Sequence, residues 1–151
     1  MTDITIITPV RNNVDTIEHN IHSIADQSVS SQHILIDCVS TDGTLEIIQH
    51  QQSPDSFIIS EPDKGMYDAI NKGLKHAKGE IVGILNADDY YPTNQVLAQV
   101  QETFANPDID ACYGDLVYVD RLNTSKVVRN WKSGSYSPQK FYLGWMPPHP
   151  T

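Results

Sequence analysis

Apolar positions along the chain follow two alternating rhythms. Short β-branched blocks, Ile4 to Ile7, Ile34 to Ile36, Phe57 to Ile59 and Ile81 to Leu85, read as strands. Between the first two, Val14, Ile17, Ile21 and Ile24 recur at spacings of three and four, the buried stripe of a helix that runs to about Gln27. The first strand is expected to stop at Thr8-Pro9, because proline donates nothing to a sheet ladder, and Asn12 or Asn13 stands where a helix cap is needed. Leu45, Ile47 and Ile48 follow the turn Ser40-Thr41-Asp42-Gly43 and predict a second helix.

A third helix is predicted over Met66 to Ala77, with Met66, Ile70, Gly73 or Leu74, and Ala77 facing inward and Gly79 just past its end. Gly73 costs such a helix about 1 kcal/mol against alanine, which suits either close approach of another backbone or simple tolerance. Asn94 is placed to cap a fourth helix carrying Val96, Leu97, Val100 and Phe104, which ends near Asn106-Pro107.

Strand and helix therefore alternate four times, which predicts an α/β fold with a mostly parallel sheet flanked by helices. The near-continuous apolar block Ile81 to Leu85 suits a strand covered on both faces. After Phe104 the alternation stops. Ile109 to Tyr113, Leu116 to Val119 and Lys126 to Trp131 read as strands added in hairpin fashion to a mixed sheet, and the last twenty residues, rich in aromatics, show no period. With no repeat, low-complexity run or linker, residues 1–151 are expected to form one domain.

A formal net charge of -9 argues against duplex nucleic acid or an anionic membrane as the main partner, since both would be repelled over most of the surface. Met1 to Val10 lacks the features of a signal peptide and no apolar run reaches the roughly 18 residues of a membrane span. The chain is expected to be cytoplasmic, at most peripheral to the inner face of the membrane. Cys38 and Cys112 lie far apart without metal-type spacing and suit packing as reduced thiols. No Gly-x-Gly-x-x-Gly turn follows the first strand and no Gly-Lys-Ser or Gly-Lys-Thr loop is present, so phosphate must be handled otherwise.

Open α/β sheets bind ligands beyond the carboxyl ends of their strands. Four such ends here carry polar groups: Thr8 with Arg11, Asp37, Asp63 with Lys64, and Asn86 with Asp88 and Asp89. Adjacent carboxylates repel, and a divalent cation such as Mg²⁺ or Mn²⁺ relieves that repulsion while bridging to a diphosphate. Taken singly, Asp88-Asp89 also reads as a solvated acidic turn, Arg11 as a surface charge, Asp37 as a helix cap and Lys64 as a loop residue. Together they suit a nucleotide diphosphate.

The stretches ITPVRNNVDTIEHNIHSIADQS, IDCVSTDGT and above all SEPDKGMYDAINKGLKHAKGEIVGILNADDYYP, with YGD at Tyr113 to Asp115 and MPPHPT at Met146 to Thr151, carry a resemblance to a known family. The chain resembles the donor-binding N-terminal portion of a glycosyltransferase family 2 enzyme with the GT-A fold, of the bacterial polysaccharide-assembly type. The resemblance implies transfer of a sugar from a UDP- or GDP-linked donor to a hydroxyl of a glycan or lipid-linked acceptor, with inversion at the anomeric carbon. It implies that Asp88 and Asp89 fit the family's Asp-x-Asp-type position and hold Mn²⁺ or Mg²⁺ on the donor diphosphate, with Asn86 and Asp88 also bordering the nucleotide sugar. By the same resemblance Thr8, Pro9 and Arg11 lie along the nucleotide, Asp37 near the base, and Asp63, Lys64, Asp68 and Asn71 beside ribose and diphosphate.

Three departures qualify that likeness. Asn86 stands where many relatives carry aspartate, Cys38 follows Asp37 where relatives often have aspartate or glycine, and the chain stops before the segment that carries the family's catalytic base. The base is therefore expected beyond Thr151, with His149 the weaker candidate within the chain. Asp115 reads as a buried or hairpin-turn carboxylate, and Trp131, Tyr136 and Trp145 as packing residues or a sugar platform. Exposed strand edges and aromatics would favour self-association. The competing readings are a nucleotide-binding or assembly module without turnover, and a phospho-acceptor domain, whose acidic pair should follow the first strand instead of the fourth.

Overall fold

β1 (Ile4–Val10) pairs in parallel with β2 (Gln32–Asp37) on one side and β4 (Ile81–Ile84) on the other, and β3 (Ser56–Ser60) extends the sheet beyond β2. The order is β3-β2-β1-β4 in this computed structural model, which describes residues 4–51 and 53–148. The chain thus winds one way from β1 to β3 and then crosses to the opposite side of β1. That reversal opens a crevice between the carboxyl ends of β1 and β4, the place where such sheets bind ligands.

Helices α1 (Ile17–Ala25), α2 (Thr44–Gln51), α3 (Met66–Leu74) and α4 (Val96–Phe104) connect or follow these strands. Alternate residues of β1 serve opposite faces. Ile4, Ile6 and Val10 pack with Ile17, Ile21 and Ile24 of α1, Ile48 of α2 and Leu97 of α4, whereas Ile7 packs with Ile34, Ile36 and Ala69 of α3. Each fully buried isoleucine contributes about 1.5–3 kcal/mol, so β1 is the densest line of the core. A polar knot closes the opposite end of the sheet: Thr5 Oγ1 donates to Gln32 Oε1, which also accepts from the Lys78 amide, while the Gly79 amide donates to Thr5 Oγ1. It ties the α3–β4 connection to β1 and β2.

Several elements differ from expectation. β1 runs through Thr8-Pro9 to Val10, because β4 pairs only as far as Ile7 and the missing proline donor then faces no partner on that side. α1 starts at Ile17 and leaves Val14 exposed, with Asn13 turned to other contacts, while buried Asn20 sits on the apolar stripe. α3 ends at Leu74, and its inner face is Ala69, Ile70 and Gly73, with Met66 and Leu74 exposed. β4 is an edge of the four-stranded sheet and shows Val82 and Ile84 on its surface, so one face only is covered. The α4 cap position is Gln95, not Asn94.

The chain divides into two compact units, Met1–Asp108 and Ile109–Thr151. The second contains an antiparallel hairpin of β5 (Leu116–Val119) and β6 (Val127–Trp131), forming a sheet of its own and not an extension of the first. The stretch from Ile109 to Tyr113 is not a strand. Asp115 closes the hairpin base by accepting from the Ser133 amide and hydroxyl, and these donors hold its carboxyl below the usual range. Arg129 lies 5.3 Å from the ring centres of both Tyr118 and Trp131. Trp145 donates to the Ser133 carbonyl and meets edge-on both Tyr113 and Phe141, the last residue of α5 (Pro138–Phe141). Among the described residues no helix is long and apolar enough to cross a membrane.

Gly73 marks where α3 meets β1. A Cβ there would stand 2.6 Å from Ile7 Cγ2, an atom fixed to a fully buried strand residue. Gly73→Ala gains about 1 kcal/mol of helix propensity but incurs overpacking of about 1–3 kcal/mol. The expected outcome is a net loss of up to about 2 kcal/mol, read as a lower urea midpoint; an unchanged or raised midpoint would refute this tight contact.

Candidate functional site

At the reversal point the four strand ends surround a pocket of about 370 Å³. β1 and its loop supply Pro9, Val10, Arg11 and Asn13, the end of β2 supplies Cys38, the β3–α3 loop supplies Asp63 and Gly65, α3 supplies Met66 and Ala69, and the loop after β4 supplies Asn86, Ala87 and Asp88. The α3 N-terminus therefore opens onto the pocket. Gly65 allows this entry with φ of 113°, and Asp63 Oδ1 accepts its amide at 2.8 Å. Unpaired amides at such a helix start attract anions.

The rim on the β1 and β2 side is stitched together across the two loops. The Asn12 amide donates to Ser40 Oγ and the Thr41 amide to Asn12 Oδ1, both at 2.9 Å. Asn13 and Val14 donate to Thr44 Oγ1 and Asp42 Oδ2. Asp42 also accepts from Thr44, first through the hydroxyl, and these donors hold its carboxyl below the ordinary range. Asn12 and Val39 adopt positive φ of 54° and 49°. For β-branched Val39 that conformation is strained and persists because the surrounding bonds overdetermine it.

Of the residues singled out in the sequence, Pro9, Arg11, Asp63, Asn86 and Asp88 meet on the pocket wall. The others do not. Thr8 is buried within the sheet, its hydroxyl 2.9 Å from His33 Nε2, and takes no place on the wall. Asp37 is fully buried and committed to the Ser60 hydroxyl at 2.6 Å and the Ser40 amide, so it braces β2 against β3. Lys64 and Asn71 are exposed but off the wall. Asp68 accepts the Lys64 amide and lies 3.8 Å from Lys72. Asp89 turns back to accept from Asn86 Nδ2 at 3.1 Å, leaving Asp88 as the pair's member on the pocket. His149 lies outside the described residues.

Sequence reading passed over Val10, Asn13, Cys38, Gly65, Met66, Ala69 and Ala87 as wall residues. Gly65, immediately before a helix, was the one legible signal.

The charged side chains on the wall are Arg11, Asp63 and Asp88, a formal balance of -1. Two unit charges about 4 Å apart near a protein surface interact by about 4 kcal/mol, so a diphosphate would need a cation to approach Asp88. The donors present are hard oxygens, the Asp88 carboxylate and the buried Asn86 Oδ1, which finds no partner among protein groups. They fit Mg²⁺ or Mn²⁺ sharing its shell with a substrate. No group of three or more His, Cys, Asp or Glu among the described residues could hold such an ion alone.

The model of the family described as glycosyl transferase family 2 matches residues 5–149. Two Escherichia coli proteins, WfgD and WfaP, each named as UDP-Glc:alpha-D-GlcNAc-diphosphoundecaprenol beta-1,3-glucosyltransferase, are similar. WfgD is 27% identical over 139 residues, covering 91% of this chain and 52% of WfgD. WfaP is 36% identical over 101 residues, covering 64% of this chain and 39% of WfaP. The mannosyltransferase PcManGT of Pyrobaculum calidifontis, solved in complex with GDP-Man and Mn²⁺, superposes with a TM-score of 0.65 at 29% identity over 78% of this chain and 35% of its own. The chain thus spans about half the length of these relatives, or less.

Burial lowers the His33 pKa from 6.5 to about 3, so the imidazole stays neutral in the fold. The unfolded chain takes up a proton below about pH 6.5 that the folded chain refuses. His33 therefore adds stability in full above that pH, and the contribution fades as pH falls from about 6.5 towards 3, by at most about 1.4 kcal/mol per pH unit. His33→Gln is expected to flatten the slope of unfolding free energy between pH 6.5 and 4.5; a slope equal to the parent's would contradict the burial of a neutral ring.

Proposed function

The chain belongs to glycosyltransferase family 2 and has the GT-A fold, and from that premise we propose that it is the donor-binding part of an inverting transferase dependent on a divalent metal. It would move a sugar from a nucleotide diphosphate sugar to an acceptor hydroxyl. The observation that carries this reading is the pocket at the β1–β4 reversal, where a helix start, the Arg11 guanidinium and the Asp63 and Asp88 carboxylates share a single wall.

The parts have separable tasks. Amides at the start of α3 and the Arg11 guanidinium would bind the diphosphate, and the Pro9–Val10 edge would border the nucleoside. Asp88, with the Asn86 amide oxygen beside it, would hold Mn²⁺ or Mg²⁺. When bound, that ion supplies neutralisation of charge on the departing diphosphate. Asp89 would brace Asn86 by its 3.1 Å bond. The acceptor-side base is proposed to lie outside residues 4–148, since the carboxylates on this wall, Asp63 and Asp88, sit with the diphosphate donors. A lipid-linked glycan acceptor is the acceptor class suggested by the diphosphoundecaprenol in the names of the two E. coli relatives.

Calorimetry with UDP, GDP and their sugars, with and without Mn²⁺, tests the reading. Binding should require Mn²⁺, and Asp88→Ala should weaken it by about tenfold or more, the scale of one lost charge-assisted contact. Asp89→Ala should cost less. Binding that ignores both the metal and Asp88 would overturn the assignment.

A further inference from the structure

The loop from Asn86 to Asp89 has carbonyl groups that no strand partner satisfies, and α1 satisfies them with side chains. Thr16 Oγ1 donates to the Ala87 carbonyl at 3.0 Å. Asn20, one turn later on the same face, uses its amide Nδ2 twice, donating to the Asn86 and Asp89 carbonyls at 2.9 Å each. The series continues along the helix and past its end: Ser23 Oγ accepts the Tyr91 amide, and Gln27, two residues beyond Ala25, donates to the Thr93 carbonyl while accepting the Leu97 amide. α1 thereby lies as a polar template under the segment from Asn86 to Leu97.

Asn20 is the unusual member of this set. It is fully buried on a stripe otherwise made of Ile17, Ile21 and Ile24, and its Oδ1 has no protein partner. An unsatisfied buried acceptor is unfavourable, so the side chain is explained by its two donated bonds and not by its own satisfaction. Those bonds grip the peptide on either side of Asp88.

We propose that Asn20 is a positioning residue of this site: its amide, with the Thr16 hydroxyl, fixes the Asn86–Asp89 backbone so that the Asp88 carboxylate is held towards the pocket. The inference rests on the reading of Asp88 as the metal-holding carboxylate, and it extends the site to a helix that touches no ligand. The geometry assigns α1 a role in preorganisation, since a carboxylate on an untethered turn would have to be ordered at the moment of binding.

Two measurements on the full chain test it. Asn20→Leu keeps the branching at Cγ and the number of heavy atoms while removing both donors, and Thr16→Val removes one donor from a less buried site in case the first variant does not fold. Amide hydrogen exchange should rise about tenfold or more across residues 86–91 in Asn20→Leu, and less in Thr16→Val, with β1 and β2 protection retained. Unchanged exchange there, or an equal rise throughout the sheet, overturns the proposal. Mn²⁺-dependent binding of UDP or GDP supplies a double-mutant cycle. Asn20→Leu should weaken binding about tenfold in the parent and by less than twofold in an Asp88→Ala background; additive losses would show that Asn20 does not act through Asp88. If the parent shows no metal-dependent binding, the proposed function fails, while the exchange result still decides whether Asn20 holds the loop.

Discussion

Ile7 pairs with Ile84, and the Leu85 amide continues that ladder onto the Ile7 carbonyl at 3.1 Å. This contact joins segments more than seventy residues apart and sets how far the chain has advanced when it leaves the sheet. From that point Asn86, Ala87 and Asp88 are carried to the same crevice as Pro9, Val10 and Arg11. A slip of one residue would put Val82 or Ile84 in the place of Gly83, where an added Cβ would stand 2.9 Å from Ile6 Cδ1, so packing and site geometry are selected by the same register. The close approach of Gly73 to Ile7 brings α3, and with it the pocket's helix start, against the same strand.

The electrostatics follow from what the fold leaves outside and what it encloses. Asp37 is enclosed and spends its oxygens on Ser40 and Ser60, and Asp89 faces Asn86, which leaves Asp63 and Asp88 as the wall carboxylates against Arg11. An excess of one negative charge in a crevice that also presents helix amides suits a dianionic ligand only together with a cation.

Polar groups do much of the holding at both ends of the sheet. Thr8 meets His33, Thr5 meets Gln32, and the strained turn at Val39 is tied to the Asn12 loop by reciprocal bonds. Hydrophobic packing fixes where the helices lie, but it is non-directional; the hydrogen bonds decide which way each loop points.

Much of this was legible from the chain alone. Short apolar blocks and a periodicity near four announced the strands and helices of the first unit, the polar strand ends announced the crevice, and the long block around Asp88 and Asp89 carried the family, because these depend on neighbours in sequence. Other features required coordinates. Whether β4 is central or at an edge, whether Thr8 faces the rim or His33, which of two adjacent aspartates reaches the pocket, and why an asparagine interrupts the apolar stripe of α1 all depend on partners that approach from distant parts of the chain. Local propensity specifies what an element is; only packing in three dimensions specifies which of its side chains finds a partner and which is left to meet a ligand.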